Sequence, residues 1–134
     1  MANAVYPKAI EGFGDGTIVW TTDDCRAMLV KTGAAYNAAH TVLNDIVSYD
    51  NGRSAAIGSK SSTLGVFDGA DTSLTAGAAT LSIAIVIYKY NASDTLARLI
   101  AWIDTATGLS FTPAAGQTVN ITWDNGANKI FKIG

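Results

Sequence analysis

Apolar and polar residues alternate with a period of two over much of the chain, as in β-strands that bury one face. The clearest case lies at the end of the sequence, where Val119, Ile121 and Trp123 fall on one face. Residues 124–126 are Asp-Asn-Gly, a typical turn, and Ile130 with Ile133 resumes an apolar strand. This spacing predicts a β-hairpin that runs to the last residue.

Two segments, 81–88 and 96–103, are the most apolar of the sequence and are rich in Ile, Val and Leu. Strands that are apolar on both faces are buried on both faces, so these two predict the centre of a sheet. The polar residues 90–95 between them predict an antiparallel pair. Shorter strands are predicted at 17–20, 25–30, 53–57, 62–67 and 71–75, with Asn51-Gly52 as a tight hairpin turn.

Two segments follow a helical period instead. Pro7 stands at the first helical position of a short helix that ends near 14–16, where glycine recurs. Residues 36–46 place apolar side chains on one helical face, which predicts the best-defined helix of the chain.

Roughly eight short strands with frequent turns are typical of a β-sandwich. We therefore predict a mainly β fold: one β-sandwich domain over 1–134, with one or two short helices near the N-terminus. A jelly roll and an immunoglobulin-like sandwich both fit this pattern.

Composition favours assembly over catalysis. The 134 residues are 49% hydrophobic and only 15% charged, against roughly 25% charged residues in an ordinary soluble domain. A surface so short of charge is easily covered by a neighbour.

The net charge is −2 and the basic residues do not cluster, so nucleic acid is not an expected partner. The sequence lacks a secretory leader pattern and a long apolar run, so we expect no membrane partner and synthesis in a cytoplasm.

The residues that most often carry catalysis are scarce. His40 is the single histidine, Cys25 the single cysteine and Glu11 the single glutamate. Asp45 is near His40 in sequence, but no nucleophile accompanies them. Cys25 opens an apolar strand, where a thiol acts as a small hydrophobe. We predict no catalytic residues, no cofactor and no enzyme activity.

Other local patterns admit a structural interpretation. Four loop aspartates could suggest calcium but match no standard loop, so we interpret them as turn residues and predict no metal site. Asn91-Ala-Ser93 indicates a polar turn, and the glycines at 12–16 end a helix rather than bind phosphate. The tryptophans could floor a sugar pocket, but core or interface filling is the favoured interpretation. These aspartates and tryptophans are Asp23, Asp24, Asp68, Asp71, Trp20, Trp102 and Trp123.

Four segments, 2–9, 36–40, 98–109 and 122–131, resemble a family of small structural proteins of tailed bacteriophages. The resemblance spans nearly the whole chain. The chain departs from the family in two places. At 12–16 the family has a longer helix, and at 78–84 the family has a more polar stretch. The resemblance implies a part of the virion with no catalytic residues.

We therefore expect a capsid decoration, or cement, protein on the virion, which binds the major capsid protein and copies of itself as a dimer or trimer. Edge strands can add to the sheet of a neighbouring subunit, and the segment before Pro7 can lie across another subunit. A tail component that binds other tail proteins is the first alternative. A host-recognition module that binds carbohydrate is the second, and it would need an exposed aromatic platform.

Overall fold

A computed structural model describes residues 3–123 and 130–132 of the chain. In chain order the elements are β1 (Ala4–Val5), α1 (Pro7–Asp15), β2 (Cys25–Lys31), a 3₁₀ helix (Leu43–Tyr49), β3 (Asp50–Arg53), β4 (Ser61–Thr63), β5 (Val66–Asp68), β6 (Thr72–Thr75), β7 (Ser82–Lys89), β8 (Leu99–Ile103), β9 (Thr118–Ile121) and β10 (Phe131–Lys132). Strands predominate, and the predicted mainly β class is confirmed.

The largest sheet has five antiparallel strands in the order β1-β8-β7-β2-β3. β7 is its central strand, with Leu29 of β2 opposite Ile85 and Trp102 of β8 opposite Val86. Every residue of β8 is buried, and so are most residues of β2 and β7. Strands covered on both faces need apolar side chains on both, so the most apolar segments lie in the middle of this sheet.

Two smaller sheets complete a sandwich-like arrangement, one with the order β10-β5-β4 and one that pairs β6 with β9. Leu74 of β6 and Ile121 of β9 join the same hydrophobic core as the five-stranded sheet. The rings of Phe67 and Phe131 stack with centroids 4.6 Å apart, and Trp20 meets Phe131 edge-on at 5.2 Å. Aromatic packing of this kind adds to the stability that burial alone gives.

The opening helix α1 is confirmed. Pro7 begins it, where a missing N–H costs nothing, and Gly16 ends it in the left-handed conformation with φ 82°. The backbone N–H of Tyr6 donates to the carbonyl of Ile100 at 2.9 Å, which fixes the start of the helix on β8. A Cβ at Gly12 would lie 2.9 Å from the Ile18 side chain, so glycine allows the chain to fold back closely after the helix.

The predicted helix over 36–46 is wrong in type and extent, because only its second part is helical, as the 3₁₀ helix. Before that helix the backbone pairs with the approach to β8. Leu43 N–H donates to the Ala97 carbonyl at 2.8 Å, and Leu99 N–H donates to the Thr41 carbonyl at 3.1 Å. An α-helix would pair these backbone groups within the helix. Here they form long-range hydrogen bonds instead, so tertiary contacts prevent the α-helix that the spacing of apolar residues predicts.

Two shorter predictions are also wrong. Residues 17–20 form turns and irregular backbone rather than a strand. Asn51 and Gly52 lie inside β3 rather than in a hairpin turn, and β3 covers only the start of the predicted strand 53–57. A register shift between β2 and β3 lies beside Gly52, whose φ is 121°, so glycine serves a bulge here and not a turn.

The predicted C-terminal hairpin is wrong in its pairing. β9 pairs with β6 and β10 pairs with β5, so the two predicted arms belong to different sheets. The predicted alternation is right, since Ile121 and Trp123 are buried and Thr122 is exposed. Residues 124–126 and Ile133 lie outside the described residues. Alternation shows which face of a strand is buried but not which strand is its neighbour.

Candidate interaction site

The three tryptophans fill the core, as the favoured interpretation predicts. All are buried. Their indole N–H groups donate inside the protein: Trp20 to the carbonyl oxygens of Ser61 and Asp68, Trp102 to the carboxylate of Asp104, and Trp123 to the carbonyl of Ala70. Buried rings with satisfied N–H groups cannot form an exposed sugar platform, which removes these residues from the carbohydrate-binding alternative.

His40 lies in a loop rather than in the predicted helix. The carboxylate of Asp45 accepts the backbone N–H groups of Thr41 and Val42 at 2.9 and 3.2 Å. These bonds, with a smaller contribution from the charge of His40, hold the pKa of Asp45 below its usual range. Asp45 therefore stabilises the start of the 3₁₀ helix, with its Oδ2 accepting both backbone N–H groups.

Cys25 is fully buried in β2, and burial raises the pKa of its thiol to about 12. A thiol that stays protonated at neutral pH is a poor nucleophile. Cys25 is therefore a small hydrophobic core residue.

Three of the four aspartates considered for calcium have backbone or ion-pair partners. Asp24 forms a two-bond ion pair with Arg26, and Asp23 lies 3.3 Å from the Lys89 ammonium. Asp71 accepts the backbone N–H of Trp123 at 2.9 Å. Within 3–123 and 130–132, no group of three or more His, Cys, Asp or Glu side chains is arranged to hold a metal ion.

The remaining sequence candidates have structural partners. Glu11 pairs with Lys8 one helical turn away at 2.6 Å. The Asn91 side chain accepts the backbone N–H of Ser93 at 3.0 Å, which is the polar turn predicted from that triplet. The glycines at 12–16 belong to α1 and its C-terminal cap. None of these positions gathers groups that could perform chemistry together.

The segment before Pro7 is part of this chain's own sheet. Ala4 and Val5 form β1, which pairs with Trp102 and Ala101 of β8. The Asn3 side chain accepts the backbone N–H of Asp104 at 3.0 Å. Residues 3–5 are therefore held in the sheet of their own chain.

The hairpin of β4 and β5 is the most exposed apolar feature of the described chain. β4 is the outer strand of its sheet, and Ser61, Ser62 and Thr63 are all exposed. The tip is Leu64-Gly65, where both residues have positive φ, 51° and 80°. Positive φ at both central residues is typical of a two-residue hairpin turn of type I′. The Leu64 side chain is 94% exposed.

The edge of β4 is short, at three residues, but it lacks the side chains that usually protect such edges. Natural edge strands carry charged residues, proline or bulges that prevent pairing with another chain. Residues 61–65 are Ser-Ser-Thr-Leu-Gly, without a charge or a proline. Sequence reasoning missed this site because the structure divides the predicted strand 62–67 at Leu64, and leucine is no turn signal.

A groove of about 1550 Å³ runs between the β1–β8 side of the five-stranded sheet and β9. Its lining includes the exposed Thr118 and Asn120 and the half-buried Val119, together with buried core residues such as Leu29 and Ile85. None of the described lining residues has an ionisable side chain. Pockets for small ligands occupy about 300–1,000 Å³, so this groove is large enough for a segment of protein.

The β7–β8 turn presents a second exposed surface. Leu96 is 64% exposed, and Tyr90 is exposed with the Arg26 guanidinium 3.8 Å from its ring centre. Two ion-pair bonds between Arg53 and Asp94 hold the turn against β3. Tyrosine and arginine are common in protein interfaces, so this turn is a further candidate contact surface.

Comparisons with protein-family models, with curated proteins and with solved structures give no match. Over the described residues, none of the helices has the length and apolar character needed to cross a membrane.

Proposed function

We propose that the chain is a structural protein of a bacteriophage virion, and specifically a capsid decoration protein that binds the assembled shell of major capsid proteins. It acts by binding and not as an enzyme. The virion part of this proposal depends on the resemblance of segments 2–9, 36–40, 98–109 and 122–131 to phage structural proteins.

The observation that carries the binding part is the β4–β5 hairpin. Its outer strand pairs with another strand on one side only, and its side chains are small and uncharged. Such an edge can add a strand to a partner's sheet, where backbone bonds supply affinity. Low surface charge limits repulsion when many copies cover one shell. Many weak contacts then stabilise the assembled particle by mass action.

The experiment is to locate the protein in virions of the phage whose genome encodes this sequence, by electron microscopy and three-dimensional reconstruction. We expect density that fits this fold on the capsid surface, repeated at the symmetry axes of the shell. Density confined to the tail would contradict decoration and would favour the tail alternative. Absence of the protein from washed particles would contradict both.

A binding assay tests whether the β4 edge strand, and not another part of the surface, binds the capsid. We expect the purified protein to sediment with assembled capsids and not with free capsid subunits. Thr63→Lys places a charge on the β4 edge and should weaken sedimentation with capsids. Ala35→Lys, at an exposed loop position outside both the β4–β5 hairpin and the β7–β8 turn, is the matched control and should have no effect. Equal binding to capsids and to free subunits would argue against a cement function.

The tail alternative differs in symmetry. A decoration protein matches local axes of the shell as a monomer, dimer or trimer, whereas tail-tube rings are usually sixfold. The mass of the oligomer and the symmetry of its density therefore decide between them. The carbohydrate-binding alternative would have to use a surface other than the three buried tryptophans.

A further inference from the structure

Leu64, at the tip of the β4–β5 hairpin, is unfavourable in two independent ways. Its side chain is 94% exposed, more than any other large hydrophobic residue that the structure describes. Its backbone is left-handed, with φ 51°, and among the described residues only Leu64 and Ser59 have a positive φ without being glycine. Asparagine or glycine would avoid both costs, because each tolerates this conformation and neither exposes an apolar side chain. Leucine at this position therefore does not serve the stability of the isolated chain.

The base of the hairpin is held too firmly for the tip to relax. The Trp20 indole N–H donates to the carbonyl oxygens of Ser61 and Asp68, at 3.1 and 3.0 Å, and these two residues face each other across β4 and β5. The next residue of β5, Phe67, is buried and stacks on Phe131 with ring centroids 4.6 Å apart. A strained residue persists only where the surrounding structure fixes it. The hairpin therefore presents its tip in one conformation before a partner binds, which lowers the entropy lost on binding.

The surroundings of the tip indicate a protein partner and not a membrane. Residues 61–65 have no charge, whereas segments that bind a membrane surface usually combine basic residues with a larger apolar face. Within its described sheet β4 pairs with another strand on one side only. An edge of this kind can bond to the backbone of a partner strand, and lipid tails offer no such groups. Where a strand is added in this way, pockets beside it recognise the side chains and supply specificity.

We infer that Leu64 is the anchor of the capsid contact: its side chain fills an uncharged, apolar pocket that lies beside an edge strand of the capsid partner. The pocket has no charge, because an ion buried against this side chain would lose its water without gaining a counter-charge. The inference rests on the proposed function and deepens it, since it names the side chain that supplies specificity and the kind of surface that receives it.

Binding of purified variants to assembled capsids tests the anchor. Leu64→Asn should raise the dissociation constant at least about tenfold, because it removes a leucine that is buried in the complex. The same variant should have an unchanged or higher Tm, since asparagine tolerates the left-handed turn. A leucine with a merely structural role would not give weaker binding without weaker stability. Leu64→Met keeps an apolar side chain and should retain most of the binding.

Leu81→Asn is the matched control, because it makes the same change at a leucine that is 40% exposed and lies outside the β4–β5 hairpin and the β7–β8 turn. It should leave capsid binding unchanged. Equal weakening by Leu64→Asn and Leu81→Asn would overturn the inference. A Leu64→Met protein that binds as weakly as Leu64→Asn would also overturn it.

Sedimentation of the free protein tests whether Leu64 lies between copies of the chain instead. Without capsids, wild type and Leu64→Asn should have the same mass at the concentrations of the binding assay. A wild-type oligomer that Leu64→Asn dissociates would place the leucine in a contact between copies and would overturn the inference.

Failure of the anchor and failure of the proposed function give different results in the capsid assay. If wild type and Leu64→Asn bind capsids equally well, the anchor is wrong and decoration stands. If the wild-type protein does not bind capsids, decoration is wrong and the anchor is wrong with it.

Discussion

The Arg53 guanidinium holds the Asp94 carboxylate through two hydrogen bonds of 2.8 and 2.9 Å, although 41 residues separate them in the chain. A third bond from Arg53, of 2.8 Å, reaches the carboxylate of Asp50. The pair connects β3 to the β7–β8 turn. Because the guanidinium bonds the ionised form of Asp94, the pKa of that carboxyl lies below its usual range.

This pair predicts a specific loss of stability at low pH. A lowered folded-state pKa means that the stabilisation is present above the unfolded pKa of about 3.9 and disappears as the pH falls through the folded value. Asp94→Asn should cost about 1 kcal/mol of unfolding free energy at pH 7, because the pair is partly exposed. The difference from wild type should vanish toward pH 2, measured by urea unfolding at both pH values.

Glu11→Gln is the control for that series. It removes an exposed ion pair within one helical turn, so its effect at pH 7 should stay within about 0.5 kcal/mol. If Asp94→Asn destabilised the protein equally at pH 2 and pH 7, the cause would be lost packing and not the ion pair.

The buried amide of Asn51 predicts a larger loss of stability than the Arg53–Asp94 pair does. Its Nδ2 donates to the Ala78 carbonyl and to Ser82 Oγ, at 3.2 and 2.9 Å, and its Oδ1 accepts the Ala78 N–H at 2.8 Å. Asn51→Leu would leave the Ala78 groups without a partner, and we expect a loss of roughly 2–3 kcal/mol in urea unfolding. Asn44→Leu, at an exposed position, should change stability by less than about 0.5 kcal/mol. Equal effects of the two changes would contradict a buried hydrogen-bonding role for Asn51.

The sequence is informative about the most apolar strands and the first helix, for a physical reason in each case. Segment 81–88 corresponds closely to β7, and the last five residues of 96–103 form β8, because strands buried on both faces tolerate few other residues. Leu96 lies in the turn before β8 and is 64% exposed. Pro7 predicts the start of α1 because its fixed φ and its missing N–H are compatible with the first turn of a helix and not with the helix interior. These signals are local and need no knowledge of neighbours.

The candidate site could not be predicted in the same way. The groove combines residues near 3–5, 101–111 and 117–123, which become neighbours only when the sheets form. The hairpin tip uses leucine in a left-handed turn, which no turn preference indicates. The Asn51-Gly52 pair predicts a turn, but in the structure Gly52 lies at a bulge and Asn51 provides a buried, hydrogen-bonded amide.

Gly52 and Gly14 predict opposite results from the same substitution. A Cβ at Gly52 would lie 2.3 Å from the Thr75 carbonyl oxygen, and its φ of 121° is unfavourable for any side chain. Gly52→Ala should therefore cost at least about 2 kcal/mol. A Cβ at Gly14 meets nothing within 4 Å, so Gly14→Ala should stabilise helix α1 by roughly 0.5–1 kcal/mol. Thermal unfolding of both variants measures the contrast, and a stable Gly52→Ala protein would show that β3 and β6 do not approach as described.

The buried thiol of Cys25 predicts protection from chemical modification. Burial keeps the thiol protonated by raising its pKa to about 12, and it also denies access to a reagent. We expect an aromatic disulfide reagent at pH 8 to leave Cys25 unmodified in native buffer and to react with it at the urea concentration where the fold unfolds. Ser62→Cys places a second thiol on the exposed β4 edge and should react at once in native buffer, which shows that the reagent is active. Rapid reaction of Cys25 in the wild-type protein without urea would mean that β2 is accessible and that the five-stranded sheet does not bury its core as described.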